Sequence, residues 1–280
     1  MALNLPPAAS IEADVTRALA EDLGDGDLTA ALLPPETQLA ARVIAREPAI
    51  FCGRAWFEET FHHLDPTLRL SWQVEDGDRL VPNGTVCELA GAARPLLSGE
   101  RTALNFIQTL SGTATVARRY VDALGPGTAR LLDTRKTLPG LRLAQKYAVR
   151  CGGAFNHRIG LFDAILLKEN HIAAAGGIAP AVAAARRQQQ QVLIEVEVES
   201  LAELAEASAA GAQRALLDNF TLAQLRQAVT EFGQQLELEA SGDITLDTLA
   251  EVGATGVHFI STGAITKHLR AIDFSLRFSD

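Results

Sequence analysis

Cysteine is scarce and poorly placed for chemistry. Cys52, Cys87 and Cys151 are scattered, odd in number and form no CxxC pair. That usage fits a reducing compartment and excludes both a disulfide framework and a cysteine zinc site. Positive charge is also in short supply. Over 280 residues, 25 Lys and Arg face 34 Asp and Glu, giving a net charge of −9 and a pI near 5.2. A surface of that sign argues against broad binding to nucleic acid or to an anionic membrane. The uncharged stretch Ala173–Ala185 is 13 residues with two Gly and a Pro, too short to span a bilayer. The opening MALNLPPAAS has neither a charged n-region nor an apolar h-region, so no secretory signal is expected. G-x-S-x-G, HExxH and GxxxxGK[ST] are all missing, which leaves serine hydrolases, zinc proteases and P-loop nucleotidases without support. The expectation is a soluble cytoplasmic protein that binds neither nucleic acid nor membrane.

What is present is ample apolar material, 48% of the chain, enough for one large or two modest domains. Apolar groups at Ile11, Val15, Ala18 and Leu19 carry helical spacing. Gln38–Phe51 alternates like a strand, Arg54–His63 reads as a helix, and Leu68–Leu89 is β-rich with turns at Asp76-Gly77 and Asn83-Gly84. Ser98 is placed to cap a long helix that runs to Leu124 and stops at Gly125-Pro126-Gly127. Residues 1–112 are therefore expected to form an α+β, sandwich-like domain, rejoined by the tail 266–280.

From Arg130 the grammar changes. The runs ARLLDT, DAILLKEN, VLIEVEVE, RALLDN, LELEASGD and GVHFISTG alternate with helical patterns, among them Arg142–Val149, Leu201–Ala210 and Leu222–Phe232. Strand and helix in alternation mean βα units on a parallel sheet. A Gly-rich dinucleotide turn after the first strand is lacking, which disfavours an open doubly wound sheet. Residues 113–265 are too few for eight βα units, which take about 250 residues. The expected fold class is α/β, with an incomplete βα barrel of six to seven strands beside the N-terminal domain.

Each apolar run ends in polar groups: Thr134-Arg135-Lys136, Lys168, Glu197, Asp218, Ser241-Gly242 and Ser261-Thr262-Gly263. Barrel sites lie at the carboxyl ends of the strands, so these residues are expected to converge. Period-2 spacing puts Glu195 with Glu197, and Glu237 with Glu239 and Ser241, on faces that look into the lumen. Between Arg130 and His171, eight Lys and Arg meet only three Asp and Glu. In an acidic protein that concentration suits an anion pocket, although a solvated basic face would look the same. The late turns SGD and STG can offer backbone N–H groups to a phosphate, although a Ser-Gly after a strand is more often just a turn. Asp218-Asn219 also suits a cap for the following helix.

Longer motifs sharpen this reading. SGERTALNFIQTLSGTAT, LLDTRKTLPGLR, KYAVRCGGAFNHRIGLFDAILLKENH, EVEVES, LLDN, LEASGD and FISTGAITK are collinear over nearly the whole chain. Together they resemble the quinolinate phosphoribosyltransferase family. The resemblance implies that quinolinate and phosphoribosyl pyrophosphate react to give nicotinate mononucleotide, pyrophosphate and CO₂. It implies that Arg135, His157 and Arg158 hold the dicarboxylate beside Thr134, with Arg101 entering from the partner of a homodimer. Lys136 and Lys168 would face the phosphoribosyl and pyrophosphate groups and, with Glu197 and Asp218, form the catalytic set. Glu197 and Asp218 would also meet the ribose hydroxyls and Mg²⁺, and Ser241–Asp243 and Ser261–Gly263 the 5′-phosphate. Asp243 departs from the Asn or Gly usual after Ser-Gly, and a carboxylate beside a phosphate is repulsive unless it points away. A related enzyme that takes nicotinate or another heterocycle would need fewer cations.

Overall fold

The computed structural model describes residues 3–189 and 191–278. Its contacts divide the chain into two units. The first holds residues 1–118, 137–153 and 266–280, and the second holds 119–136 and 154–265. Ser279 and Asp280, the end of the expected returning tail, lie outside the described residues.

The first unit opens with α1 (Ala8–Leu23), which buries Ile11, Val15 and Leu19 along one stripe. Strands β1 (Gln38–Ala45) and β2 (Ala49–Ile50) follow, then α2 (Arg54–Leu64), β3 (Arg69–Trp72), β4 (Arg79–Leu80) and β5 (Thr85–Ala92). The sequence pattern reads Gln38–Phe51 as one strand, but the chain breaks it at Arg46–Pro48, where Pro48 has no N–H for a ladder. Helix α3 (Ala93–Leu124) starts before the expected Ser98 cap. Pro95 is tolerated in its first turn, where N–H groups lack helical partners anyway. Ser98 instead donates its hydroxyl to Asp27 Oδ2 at 2.8 Å.

Helix α4 (Arg142–Cys151) belongs to this same unit, although the strand–helix alternation counts it with the barrel. Ala144, Tyr147 and Ala148 pack with Trp56 and Leu110. Buried Gln145 accepts from Leu138 N–H and donates to Thr113 Oγ1 and the Thr266 carbonyl. A second core joins Phe51, Phe57, Phe61, Leu104 and Ile107 to Phe274. The antiparallel sheet runs β12-β1-β5-β3, where β12 is Phe274–Phe278, and Ala41 pairs with Phe278.

The second unit alternates β6 (Arg130–Leu132), β7 (Ile165–Leu167), α5 (Glu169–Ala175), α6 (Ile178–Gln188), β8 (Ile194–Val198) and α7 (Leu201–Ala210). It continues with β9 (Arg214–Asp218), α8 (Leu222–Phe232), β10 (Glu237–Ser241), α9 (Leu249–Gly253) and β11 (Phe259–Ser261), and α10 (Ala264–Lys267) begins at its end. All six expected runs are strands of one parallel sheet, ordered β6-β11-β10-β9-β8-β7. The barrel is thus incomplete, with β6 and β7 at its open seam.

Outward residues Val196, Val198, Ala215, Leu217 and Leu238 are fully buried, as are Val182, Leu204, Ala207 and Ala228 on the helices. The registers are staggered as a closing sheet requires. Leu166 pairs with Glu195, Glu197 with Leu216, Leu216 with Glu239, and Glu239 with Phe259. Among the described residues no helix is long and apolar enough to cross a membrane.

Candidate active site

The carboxyl ends of the six strands open onto a cavity of about 350 Å³. Ten of the residues singled out from sequence line it: Thr134, Arg135, Lys136, His157, Arg158, Lys168, Glu197, Asp218, Ser241 and Ser261. They come from separate βα units, and the parallel sheet alone brings them together. Gly242, Asp243, Thr262 and Gly263 flank this lining without belonging to it. Arg101 lies in the first unit, exposed on α3.

The β6 end is ordered by Asp133, which is fully buried. Its carboxylate accepts from Asn156 Nδ2 at 2.7 Å and from the His157 N–H at 2.8 Å. These bonds fix the loop that carries Arg158. Burial and the nearby Arg135 charge both hold the Arg158 guanidinium below its usual pKa. Two cations placed to repel one another are a receptor for an anion with more than one negative group.

At the β7 and β8 ends, Lys168 Nζ forms an ion pair with Glu197 Oε2. Asp218 is pushed above the usual carboxylate range, first by burial and then by the Glu197 charge. Lys168 and Lys136 oppose that shift. The capping role open to Asp218 falls elsewhere. Thr221 caps α8, reciprocated by Gln224 in a capping box.

The late turns are shaped by close approach. Gly242 has φ +95°, and a Cβ there would meet Asn219 Oδ1 at 2.1 Å. A Cβ at Gly263 would press on Lys136 Cδ at 2.7 Å. Asp243 is exposed with φ 40°, a left-handed backbone that Asn, Asp and Gly adopt most readily. Thr262 Oγ1 accepts from the Ala264 N–H, so this hydroxyl organises the turn.

Beneath the mouth lies a layer the strand-end motifs did not single out. Leu166, Leu216 and Glu239 also line the cavity. Each stands two residues before a strand-end group, so period-2 spacing from Lys168, Asp218 and Ser241 points to them. Glu195 and Glu239 are fully buried, as the lumen-facing pattern implies, and none of their four carboxylate oxygens has a hydrogen-bond partner. His157 Nε2 lies 3.0 Å from Glu195 Oε2 and 3.5 Å from Glu239 Oε1, while its Nδ1 accepts from the Arg158 N–H at 2.7 Å. Both imidazole nitrogens are thus turned to protein groups.

Burial pushes the Glu195 carboxyl up to about 7, and burial with the Glu195 charge pushes Glu239 up to about 8. Two desolvated carboxylates this close cannot both be ionised at low cost, and a shared proton relieves them. Donor atoms of His157, Glu195 and Glu239 lie within 4.8 Å of one another. Glu237 shares their pleat but sits at the opposite end of β10, half-exposed, where it pairs with Arg214 at 2.7 Å. Arg214 in turn stacks over Phe259 with 3.9 Å to the ring centroid, and its Nη1 lies 3.7 Å from Glu239 Oε2.

Comparison with known proteins agrees with this architecture. The family models for the quinolinate phosphoribosyl transferase N-terminal and C-terminal domains match residues 27–111 and 113–277. A probable nicotinate-nucleotide pyrophosphorylase (carboxylating) of Bacillus subtilis is 43% identical over 91% of this chain and 89% of its own. A tobacco protein, quinolinate phosphoribosyltransferase (decarboxylating) 1b, is 38% identical over 97% of this chain and 83% of its own. The solved nicotinate-nucleotide pyrophosphorylase of Francisella tularensis superposes with a TM-score of 0.94 at 46% identity, covering 100% of this chain and 99% of the other.

Proposed function

The chain belongs to the quinolinate phosphoribosyltransferase family, and we propose that its strand-end cavity is where quinolinate and phosphoribosyl pyrophosphate react. The enzyme is a transferase that forms nicotinate mononucleotide with release of pyrophosphate and CO₂, a step of NAD synthesis. The observation that carries the site assignment is the convergence of Arg135, Lys136, Arg158 and Lys168 with Glu197 and Asp218 in one cavity.

Arg135 and Arg158 hold the two carboxylates of quinolinate, and their mutual repulsion is relieved when the dianion binds. His157 positions Arg158 through the hydrogen bond to its backbone. Leu166 and Leu216 supply apolar walls suited to an aromatic ring. As the C1′–O bond of the phosphoribosyl donor breaks, the ribose gains oxocarbenium character that the Glu197 carboxylate stabilises. Lys136 and Lys168 draw the negative charge of the departing pyrophosphate. The Ser241–Asp243 and Ser261–Gly263 turns offer N–H groups to the 5′-phosphate. Once ribosylated, the ring nitrogen is cationic and stabilises the carbanion left as CO₂ departs. No covalent nucleophile is needed.

Glu197 and Asp218 are hard oxygen donors, and the upward push of Glu197 on Asp218 is the strain a cation relieves. These two residues fit Mg²⁺, with water filling out its shell, and the bound ion would neutralise pyrophosphate oxygens. We further place Arg101 of a second copy of the chain in this site, within a homodimer. The three cysteines are free, which suits a reducing cytoplasm.

Incubation with Mg²⁺, phosphoribosyl pyrophosphate and either quinolinate or nicotinate tests the assignment. Nicotinate mononucleotide with equimolar CO₂ from quinolinate alone is expected. Product from nicotinate alone would overturn the reading of the cations. For the shared site, Arg101→Ala should lower kcat/KM by about 100-fold or more, the effect of losing a charged substrate contact. Mixed with an inactive Lys168→Ala chain, it should recover activity, because one of the two sites in a heterodimer is then intact. Wild-type turnover by Arg101→Ala would remove the shared site.

A further inference from the structure

The antiparallel unit buries a second cluster of chemically capable side chains. Cys52 stands between β2 and α2, Cys151 closes α4, and Asp76 lies in the turn before β4. Donor atoms of the three residues all lie within 4.8 Å of one another. The two cysteines are so far apart in sequence that no local spacing announces them, so the exclusion of a cysteine zinc site drawn from the missing CxxC does not hold once the fold brings them together.

The surroundings hold these groups in place. Asp76 Oδ1 accepts from the N–H groups of Gly53 at 2.9 Å and Arg54 at 3.2 Å, and Oδ2 accepts from the Tyr147 hydroxyl at 2.7 Å. Outer hydrogen bonds of this kind orient ligating carboxylates in metal sites. The backbone of Cys52 is clamped on both sides. Its N–H donates to Ser111 Oγ at 3.0 Å, and that hydroxyl contacts the Cys52 carbonyl at 3.2 Å. Cys151 ends a helix, where the backbone dipole favours a positive charge. Cys87, equally buried, offers the contrast. It packs among apolar residues, and its polar contacts are to backbone, among them the Glu88 carbonyl at 3.4 Å.

We propose that Cys52, Cys151 and Asp76 form a binding site for a zinc-class divalent cation that ties α4 to the start of α2. Two sulfurs and one carboxylate oxygen make a borderline-soft donor set that suits Zn²⁺ and does not suit Mg²⁺. A water completes the tetrahedron. Each thiol gives up its proton to solvent as its sulfur bonds to the ion, so two protons leave per ion bound. Burial pushes the Cys52 thiol well above its ordinary pKa. The site shares no residue with the strand-end cavity.

Titration of the reduced, metal-free full chain with Cd²⁺ tests this. An ultraviolet thiolate-to-metal band saturating at one ion per chain is expected, with two protons released. Zn²⁺ should displace the Cd²⁺ and abolish the band. The band should vanish in Cys52→Ala and Cys151→Ala and persist in Cys87→Ala. Peptide masses after alkylation of the wild-type chain give a readout that needs no variant. Zn²⁺ at a hundred times its Kd should slow modification of Cys52 and Cys151 by about 100-fold. Cys87 is the internal reference and should change no more than global stabilisation requires. A missing band, a band that survives Cys52→Ala, or equal protection of all three cysteines would overturn the site.

Discussion

The two units bury polar groups by opposite rules. In the antiparallel unit, Asp14, Ser111, Thr115 and Gln145 are buried and partnered: Asp14 by Trp56 Nε1 and Arg17, Thr115 by the Ile50 N–H. The buried side-chain atoms left without partners there, among the described residues, are the neutral Trp72 Nε1 and Ser275 Oγ. In the parallel unit, among the described residues, the buried side-chain atoms without a hydrogen bond are the oxygens of two carboxyls, Glu195 and Glu239, which have only the ion-pair contacts of His157 and Arg214. An unpartnered neutral group costs about 1–3 kcal/mol, and a charged one more. One unit thus leaves only neutral groups without a hydrogen bond, while the other keeps an electrostatic conflict directly beneath a cavity lined with cations. Conflict of that kind persists where chemistry needs it.

The sharpest way to break this comparison is to strike the satisfied unit. Trp56→Ala removes a fully buried ring and should cost about 3–5 kcal/mol of stability, read as a fall in Tm. Turnover below the melting transition should stay near wild type. Lys168→Ala strikes the other unit and should reverse the pattern. It should lower kcat/KM by about 100-fold. Stability should move by less than about 1 kcal/mol, because the Lys168–Glu197 pair is half-exposed.

The buried carboxyls give a pH test. Their folded pKa values, about 7 and about 8, stand above the ordinary carboxylate value, so the folded chain holds more protons than the unfolded one between those limits. Their contribution to stability is fullest below the unfolded pKa and is lost as pH rises through about 8. Glu239→Gln keeps the shape and removes one titration. The unfolding free energy of wild type minus that of the variant should fall from pH 5 to pH 9, by an amount on the order of 4 kcal/mol. A flat difference would show that the pair holds no extra proton. The smallest effect belongs to Asp243→Asn. The side chain is exposed, and Asn tolerates φ 40°, so KM for phosphoribosyl pyrophosphate should fall by about threefold or less.

Much of this arrangement was legible in the chain. The six apolar runs, their polar ends and the alternation of Glu195 with Val196 were enough to place eight cavity residues, because a strand's period and a barrel's polarity are local rules; His157 and Arg158 were marked only by the longer family motifs. The deeper layer was harder. Leu166 and Leu216 look like ordinary core residues, and only their spacing from Lys168 and Asp218 marks them. Helix α4 was misleading for the reason that made the rest work. Its amphipathic pattern says that it packs but carries no address, and Tyr147 and Gln145 chose the antiparallel unit.

By itself, the sequence determined the strand and helix periods, the polar strand ends and the family, since each is written in neighbouring residues or collinear motifs. Tertiary structure alone decided which distant groups meet. Glu195 lies beside Glu239 and His157 because three chain segments close around one lumen. Cys52 reaches Cys151 because α4 docks against the first unit's core. Such meetings depend on long-range packing, where the free energy of burial sets the partner and no local spacing records it.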